Sequence, residues 1–288
     1  MHSPVFTQPT FFYFCVGLLG LVVGSFLNVV IVRLPRMLEA HWQTSAKAIL
    51  GQPETTAAPV YNLAWPRSAC PQCNTPIRAW HNIPVLSFLL LRGRCAGCDQ
   101  RISLQYPLIE ILSAGASLIV AWQLGPTLAC ALALILTWSL IALAAIDGNT
   151  QLLPDTLTLP LLWLGLLAAT ANVITDPVSA IVGAAAGYLA LWLIFHLFRL
   201  ATGKHGLGYG DFKLLAALGA WLGWQQLPLI LLLASVAGAI SGILMLISGR
   251  LQAQHAMPFG PFLATAGWLS LVAGDTMLHT YFSLVGLT

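Results

Sequence analysis

The chain runs to 288 residues, 58% of them hydrophobic and only 7% charged, with a mean hydropathy of +0.83. A soluble domain carries roughly 25% charged residues, so a water-facing globular protein is excluded; continuous apolar runs rich in Leu and Ala, rather than short alternating strands, exclude a β-barrel. The net charge of +3 says less than its placement: eight of the 12 Lys and Arg lie between Arg33 and Arg101, and the other four are Arg199, Lys204, Lys213 and Arg250.

About 20 apolar residues cross the hydrocarbon layer of a bilayer. By that measure the sequence predicts spans near 11–33, 104–123, 126–146, 155–175, 177–199, 212–225, 227–249 and 259–286. The first has no basic n-region before Phe11 and no cleavage site after it, so it is expected to stay in the mature protein. Its Gly17, Gly20, Gly24 and Asn28 share helical spacing and read as a packing face. The positive-inside rule puts the segment after this span in the cytoplasm. Alternation then returns the ends near Asp147, between Arg199 and Asp211, and near Arg250 to the same side, so that every basic residue falls there. The expected fold is an all-α polytopic membrane protein of about eight transmembrane helices with a small cytoplasmic zinc-binding insertion. Its parts are a first transmembrane helix over 1–33, the insertion over 34–103, and a membrane bundle over 104–288. Within the insertion the stretch from Thr44 to Pro59 reads as a mobile loop. No internal repeat stands out.

The insertion carries Cys70-Pro71-Gln72-Cys73 and Cys95-Ala96-Gly97-Cys98, two C-x-x-C pairs with 21 residues between them. Four thiolates on two such turns can surround one tetrahedral Zn²⁺. Asn74 and Asp99 follow each pair, and both residue types tolerate the left-handed backbone of a tight turn. Arg67, Arg92, Arg94 and Arg101 lie nearby and can offset thiolate charge. Two disulfides are the alternative, disfavoured in a reducing cytosol; a redox dithiol needs only one pair. With four cysteine ligands such a zinc has no open position and is structural. Cys15 and Cys130 sit within spans as small apolar residues.

Only six Asp and three Glu occur in the chain. Asp147 closes the apolar run ending at Ile146, and Asp211 closes Gly208-Tyr209-Gly210-Asp211 at the start of a later span, both on the predicted cytoplasmic side. Ionisable residues at the edge of a membrane bundle tend to be functional. Two carboxylates converging on one water can hydrolyse a peptide bond, whereas helix capping or interfacial anchoring explains each one singly. Asp155 opens the next apolar run, where capping accounts for it. Glu110, inside the second span, faces either substrate or a basic partner. Asp176 and Asp275 fit outer-side loops or span ends. His196, His205 and His255 show no ligand spacing.

Together these segments resemble the type IV prepilin peptidases. Ile146-Asp147 leading to Leu152-Leu153-Pro154-Asp155 is similar to that family's first catalytic segment, and Gly208 to Lys213 resembles its G-x-G-D segment. Gly24-Ser25-Phe26-Leu27-Asn28-Val29-Val30 with Arg33-Leu34-Pro35, the paired C-x-x-C, Tyr106-Pro107-Leu108-Ile109-Glu110, and Pro258-Phe259-Gly260-Pro261 also match, in order. The resemblance implies that Asp147 and Asp211 form the catalytic pair of an aspartic endopeptidase in the bacterial inner membrane. Gly208, Gly210, Lys213 and Glu110 are then expected to meet the substrate. It further implies prepilins and pseudopilins of type IV pilus or type II secretion systems as substrates. They would be cut after a Gly ending a short basic leader, on the cytoplasmic side. The lipid bilayer is the other expected partner, and nucleic acid is not one. The resemblance also implies N-methylation of the new N-terminus by S-adenosylmethionine, centred on the insertion, with Gly93 at a position tied to methyl transfer. No Gly-rich cofactor loop supports that from the residues alone. An ion-coupled transporter using Asp147, Asp211 and Glu110 is the alternative, and it expects carboxylates near the midplane. A scaffold binding a partner through its zinc ribbon leaves both aspartates without a purpose.

Overall fold

The computed structural model describes residues 9–51, 61–70, 72–77, 83–204, 206–248 and 257–285. Among them the regular elements are helices, with two isolated β-bridges, Ala69 to Pro76 and Arg94 to Arg101. It divides into two compact units, residues 1–122 and 123–288. His205, Arg250, His255 and the second half of the predicted loop, residues 52–59, lie outside the described residues.

The first unit contains α1 (Pro9–Ile49), the short α2 (Leu86–Leu90) and α3 (Gln105–Leu124). Helix α1 does not end at 33: it runs through Pro35 to Ile49, so Thr44 to Ile49 are helix rather than loop. The residues after Pro35 are good helix formers such as Met37, Leu38, Glu39 and Ala40. The chain turns out only at Leu50 and Gly51, where φ is +65°, a conformation glycine adopts freely. The packing face expected from Gly17, Gly20, Gly24 and Asn28 is present. A Cβ at Gly20 would lie 2.7 Å from the Ala114 Cα, and one at Gly24 2.7 Å from the Glu110 Cα. The two backbones therefore meet where side chains are missing. Asn28 Nδ2 donates to the Tyr106 carbonyl at 3.0 Å, fixing the register of α1 on α3.

The second unit contains α4 (Leu128–Thr150), α5 (Asp155–Thr170), α6 (Pro177–Thr202), α7 (Tyr209–Leu222), α8 (Leu227–Ile247) and α9 (Gly260–Val285). Its centre is α7. From Asp211 to Trp221 every residue of that helix except Lys213 is buried. Gly219 of α7 sits backbone to backbone on Gly183 of α6, and Gly187 meets the Leu215 carbonyl. On the other side Trp221 lies in the notch left by Gly165 and donates Nε1–H to the Leu161 carbonyl of α5 at 2.8 Å. Leu136, Leu140 and Leu143 of α4 and Leu263 of α9 complete the core. Asp176 caps α6, accepting from the Ser179 amide at 3.0 Å, and Asp275 lies within α9, accepting from Gln226 Nε2 at 3.0 Å.

Among the described residues, a helix of 14 residues or more lies in each of the eight predicted stretches. Among the described residues, five are long and apolar enough to cross a membrane: α1, α3, α4, α6 and Trp224–Ile247. Five crossings follow from length and apolarity; eight do not. At 16 and 14 residues α5 and α7 rise only about 24 and 21 Å, short of the roughly 30 Å of hydrocarbon. Helix α7 is clothed by protein instead of lipid, so its length is not set by the bilayer.

Candidate active site and metal centre

Asp147 sits in the last turn of α4 and is only 5% exposed. A carboxylate there opposes the negative end of the helix dipole, so helix stability does not account for it. One oxygen, Oδ2, accepts the Gly260 amide at 2.9 Å. Gly260 is the first residue of α9, and a Cβ on it would stand 2.6 Å from that oxygen. Only glycine brings this amide onto Asp147 without a collision.

Asp211, 6% exposed, is the third residue of α7. Its Oδ2 reaches back to accept the Gly208 amide at 3.2 Å. That bond closes the first turn of α7, so the capping alternative is partly realised. It still leaves the acid itself buried, close to where α7 meets the end of α4. The two elements lock together at Gly210, where a Cβ would lie 2.6 Å from Leu153 Cβ, in the loop that follows α4. At the start of α7, Tyr209 and Phe212 pack tilted and edge-on against Phe195 of α6.

The other residues expected at substrate have partners within the chain. Gly208 holds Asp211, Gly210 admits Leu153, and Lys213 Nζ grips both oxygens of Asp155 at 2.7 and 2.6 Å. Asp155 is thus an ion-pair partner as well as a first-turn acid, and Pro154 holds the N-cap position without a side-chain bond. Glu110 is in the first unit, where its Oε2 accepts the Val85 amide at 2.8 Å. Gly260 stood in a recognisable motif, but nothing in the sequence pattern announced that its amide would hold Asp147 from 113 positions away.

The four cysteines converge. Their sulfurs all lie within 4.8 Å of one another. Cys70 to Cys98 is 3.8 Å and Cys73 to Cys95 is 3.9 Å. A tetrahedral Zn²⁺ with Zn–S bonds of about 2.3 Å sets its sulfurs about 3.8 Å apart, so the donor set fits that ion. All four are free thiols. Two matching hairpins deliver them: the Cys70 amide bonds the Thr75 carbonyl and the Cys95 amide the Gln100 carbonyl. Asn74 and Asp99 take φ of 53° and 58°, as their positions predicted. Hydrogen bonds from Thr75 hold the Cys73 thiol down to about 6. Cys98, although the Gln100 amide favours its thiolate, is pushed up to about 12 by the neighbouring sulfurs. Sulfur crowding of this kind is what a divalent cation relieves. Arg94 pairs with Asp99 at 2.6 Å.

Comparison with known proteins gives concordant results. Residues 18–124 match the bacterial peptidase A24 N-terminal domain, and residues 134–243 match the type IV leader peptidase family. The chain is 50% identical over 281 residues to the prepilin leader peptidase/N-methyltransferase of Pseudomonas aeruginosa, covering 97% of each. It is 52% identical over 274 residues to the protein of that name from Aeromonas hydrophila, covering 95% of this chain and 94% of the relative. With the one from Legionella pneumophila the identity is 45% over 281 residues, covering 98% of each. No solved structure matches.

Proposed function

The chain belongs to the type IV leader peptidase family, and on that premise we propose that it is a membrane aspartic endopeptidase acting through Asp147 and Asp211. Its substrates are prepilins and pseudopilins, cut after the Gly that ends their short basic leader, on the cytoplasmic side of the bacterial inner membrane. The observation that carries the reading is the pair of buried carboxylates, each with one oxygen held by a glycine amide. Two carboxylates acting on one scissile bond cannot both ionise, so the pair holds one proton between them. The ionised member takes a proton from a water molecule, which attacks the scissile carbonyl. The protonated member hydrogen-bonds that carbonyl and then assists the departing amine. The basic leader stays in the cytosol while the apolar helix behind it lies in the bilayer, which suits a dyad at the end of a membrane helix.

The chain then N-methylates the exposed amine. The methyl donor is S-adenosylmethionine, and zinc on Cys70, Cys73, Cys95 and Cys98 folds the insertion. The similarities described above lend no support to an ion-coupled transporter.

Purified enzyme incubated with a prepilin and S-adenosylmethionine is expected to yield a product lacking the leader and heavier by one methyl group in place of a hydrogen. Mass spectrometry reads the two changes separately. A prepilin left intact by folded enzyme rejects the proposal. Gly260→Ala is expected to displace the Asp147 carboxylate and slow cleavage about 100-fold, since misplacing a catalytic group by about 1 Å costs that much. Wild-type cleavage rates in that variant would show that the Gly260 contact is irrelevant to the chemistry.

A further inference from the structure

The first unit holds an open cavity of about 820 Å³, which has Cys70 and Cys95 of the cysteine cluster in its wall and extends from there to α1 and α3. That volume suits a ligand of drug or cofactor size. One pole is built where α1 meets α3. Glu110, 8% exposed, takes hydrogen bonds from the Val85 amide and from Ser25, yet among the described residues no cationic side chain forms an ion pair with it. Asn28, 3% exposed and one turn further along α1 than Gly24, uses its Nδ2 on the Gly24 and Tyr106 carbonyls. Its Oδ1 is buried with no partner. Both residues line the cavity. A buried carboxylate without a cation and a buried carbonyl oxygen without a donor each cost free energy. What satisfies both is a positive charge.

The rest of the wall has the opposite sign. Arg36, Arg67 and Arg101 line it. Arg33 also reaches the wall, but it is committed to the Asn62 carbonyl at 2.9 Å and the face of Tyr61. Tyr61 and Phe88 give aromatic surface. Gly93, with φ of +69°, lies behind Phe88: a Cβ there would stand 2.9 Å from the Phe88 Cζ. Gly93 is not itself among the lining residues, so it acts on the cavity by admitting that ring.

We propose that this cavity binds S-adenosylmethionine, its sulfonium against Glu110 and Asn28 and its carboxylate toward Arg36, Arg67 and Arg101. The assignment deepens the methyl-transfer reading given above and rests on it. The sulfonium belongs at the Glu110 pole because that pole lies on α3 and the apolar stretch of α1. The amine to be methylated ends an apolar helix that itself lies in the bilayer. That amine, after losing a proton to solvent, forms a bond to the methyl carbon. The carbon–sulfur bond breaks, its electron pair staying on sulfur, and the positive charge passes to nitrogen within reach of the same carboxylate.

The test is equilibrium binding of radiolabelled S-adenosylmethionine to the full chain in phosphatidylglycerol nanodiscs, with S-adenosylhomocysteine, which lacks the sulfonium charge, as competitor. Saturable binding that prefers the sulfonium is expected. Glu110→Gln is expected to weaken the sulfonium ligand about 30-fold, the loss typical of removing one partner of a buried charge pair, and to leave the thioether nearly unaffected. Arg67→Ala is expected to weaken both ligands alike. Loss of structure also lowers both alike, so the change in preference, and not the loss of binding, identifies Glu110. If Glu110→Gln does not fold, Asn28→Ala is read in the same way, with a smaller expected change. Undiminished sulfonium preference in the folded variant overturns the proposal. So does competition by phosphatidylethanolamine, which would make the cavity a zwitterionic headgroup site. Wild-type protein that methylates prepilin without these binding properties sinks the site and spares the methyl-transfer reading. Absence of both methylation and binding sinks the two together.

Discussion

Asparagine in place of Asp147 or of Asp211 is expected to abolish leader cleavage, a fall of about a thousandfold or more for loss of a general acid–base group. The substitution is isosteric. An asparagine carbonyl can still accept the Gly260 amide at position 147 or the Gly208 amide at 211, so the local fold has no reason to change. What disappears is the shared proton: one neutral amide beside one carboxylate can neither exchange a proton nor protonate a leaving amine. Cleavage of a purified prepilin followed by gel shift measures the effect. Circular dichroism and thermal unfolding of the purified variants serve as controls for folding. If both variants still cleave, the dyad is refuted. If only one does, the catalytic unit is not a pair.

Serine at Cys73 and Cys98 together is expected to release about one zinc per chain and to open the insertion to protease. Between residues 61 and 104 the described positions contribute only Cys70 and Ser87 to the buried set, while Trp65, Leu86, Leu89 and Leu90 are exposed. So small a core cannot hold this much chain, and structural zinc in such domains contributes about 10–16 kcal/mol of apparent binding free energy to folding. Metal analysis by mass spectrometry and limited proteolysis of the two proteins report the two effects. Wild-type protein that carries no zinc and oxidised cysteines would reject the site.

Much of the fold was legible because membrane helices announce themselves locally. Runs such as Leu128 to Ile146 and Leu227 to Ile247 need no distant information, and the C-x-x-C spacing states its chemistry on its face. The helix boundary at Ile49 was hidden because Pro35 looks like a stop, although the helix-forming residues beyond it and Gly51 at the end said otherwise. Asp147 and Asp211 stood out as scarce acids near predicted interfaces, and motif resemblance marked them as a pair. Spacing alone could not say whether they share a site, because 64 positions separate them. The same limit hid the hold of Gly260 on Asp147, the pairing of Lys213 with Asp155 and the joint orientation of Asn28 and Glu110. Each depends on which helix faces come together, and spacing along the chain carries no record of that.

The seat of Asp211 has a consequence for how the enzyme meets varied leaders. Gly183 and Gly219 abut main chain to main chain, and the Trp221 indole is pinned in the Gly165 notch. Toward Asp211 the rings of Phe195, Tyr209 and Phe212 fill the space between α6 and α7, so the two helices are held at both ends of their contact. The acid is mounted on an unyielding post, and tolerance for different leader sequences falls to the parts that hold the substrate.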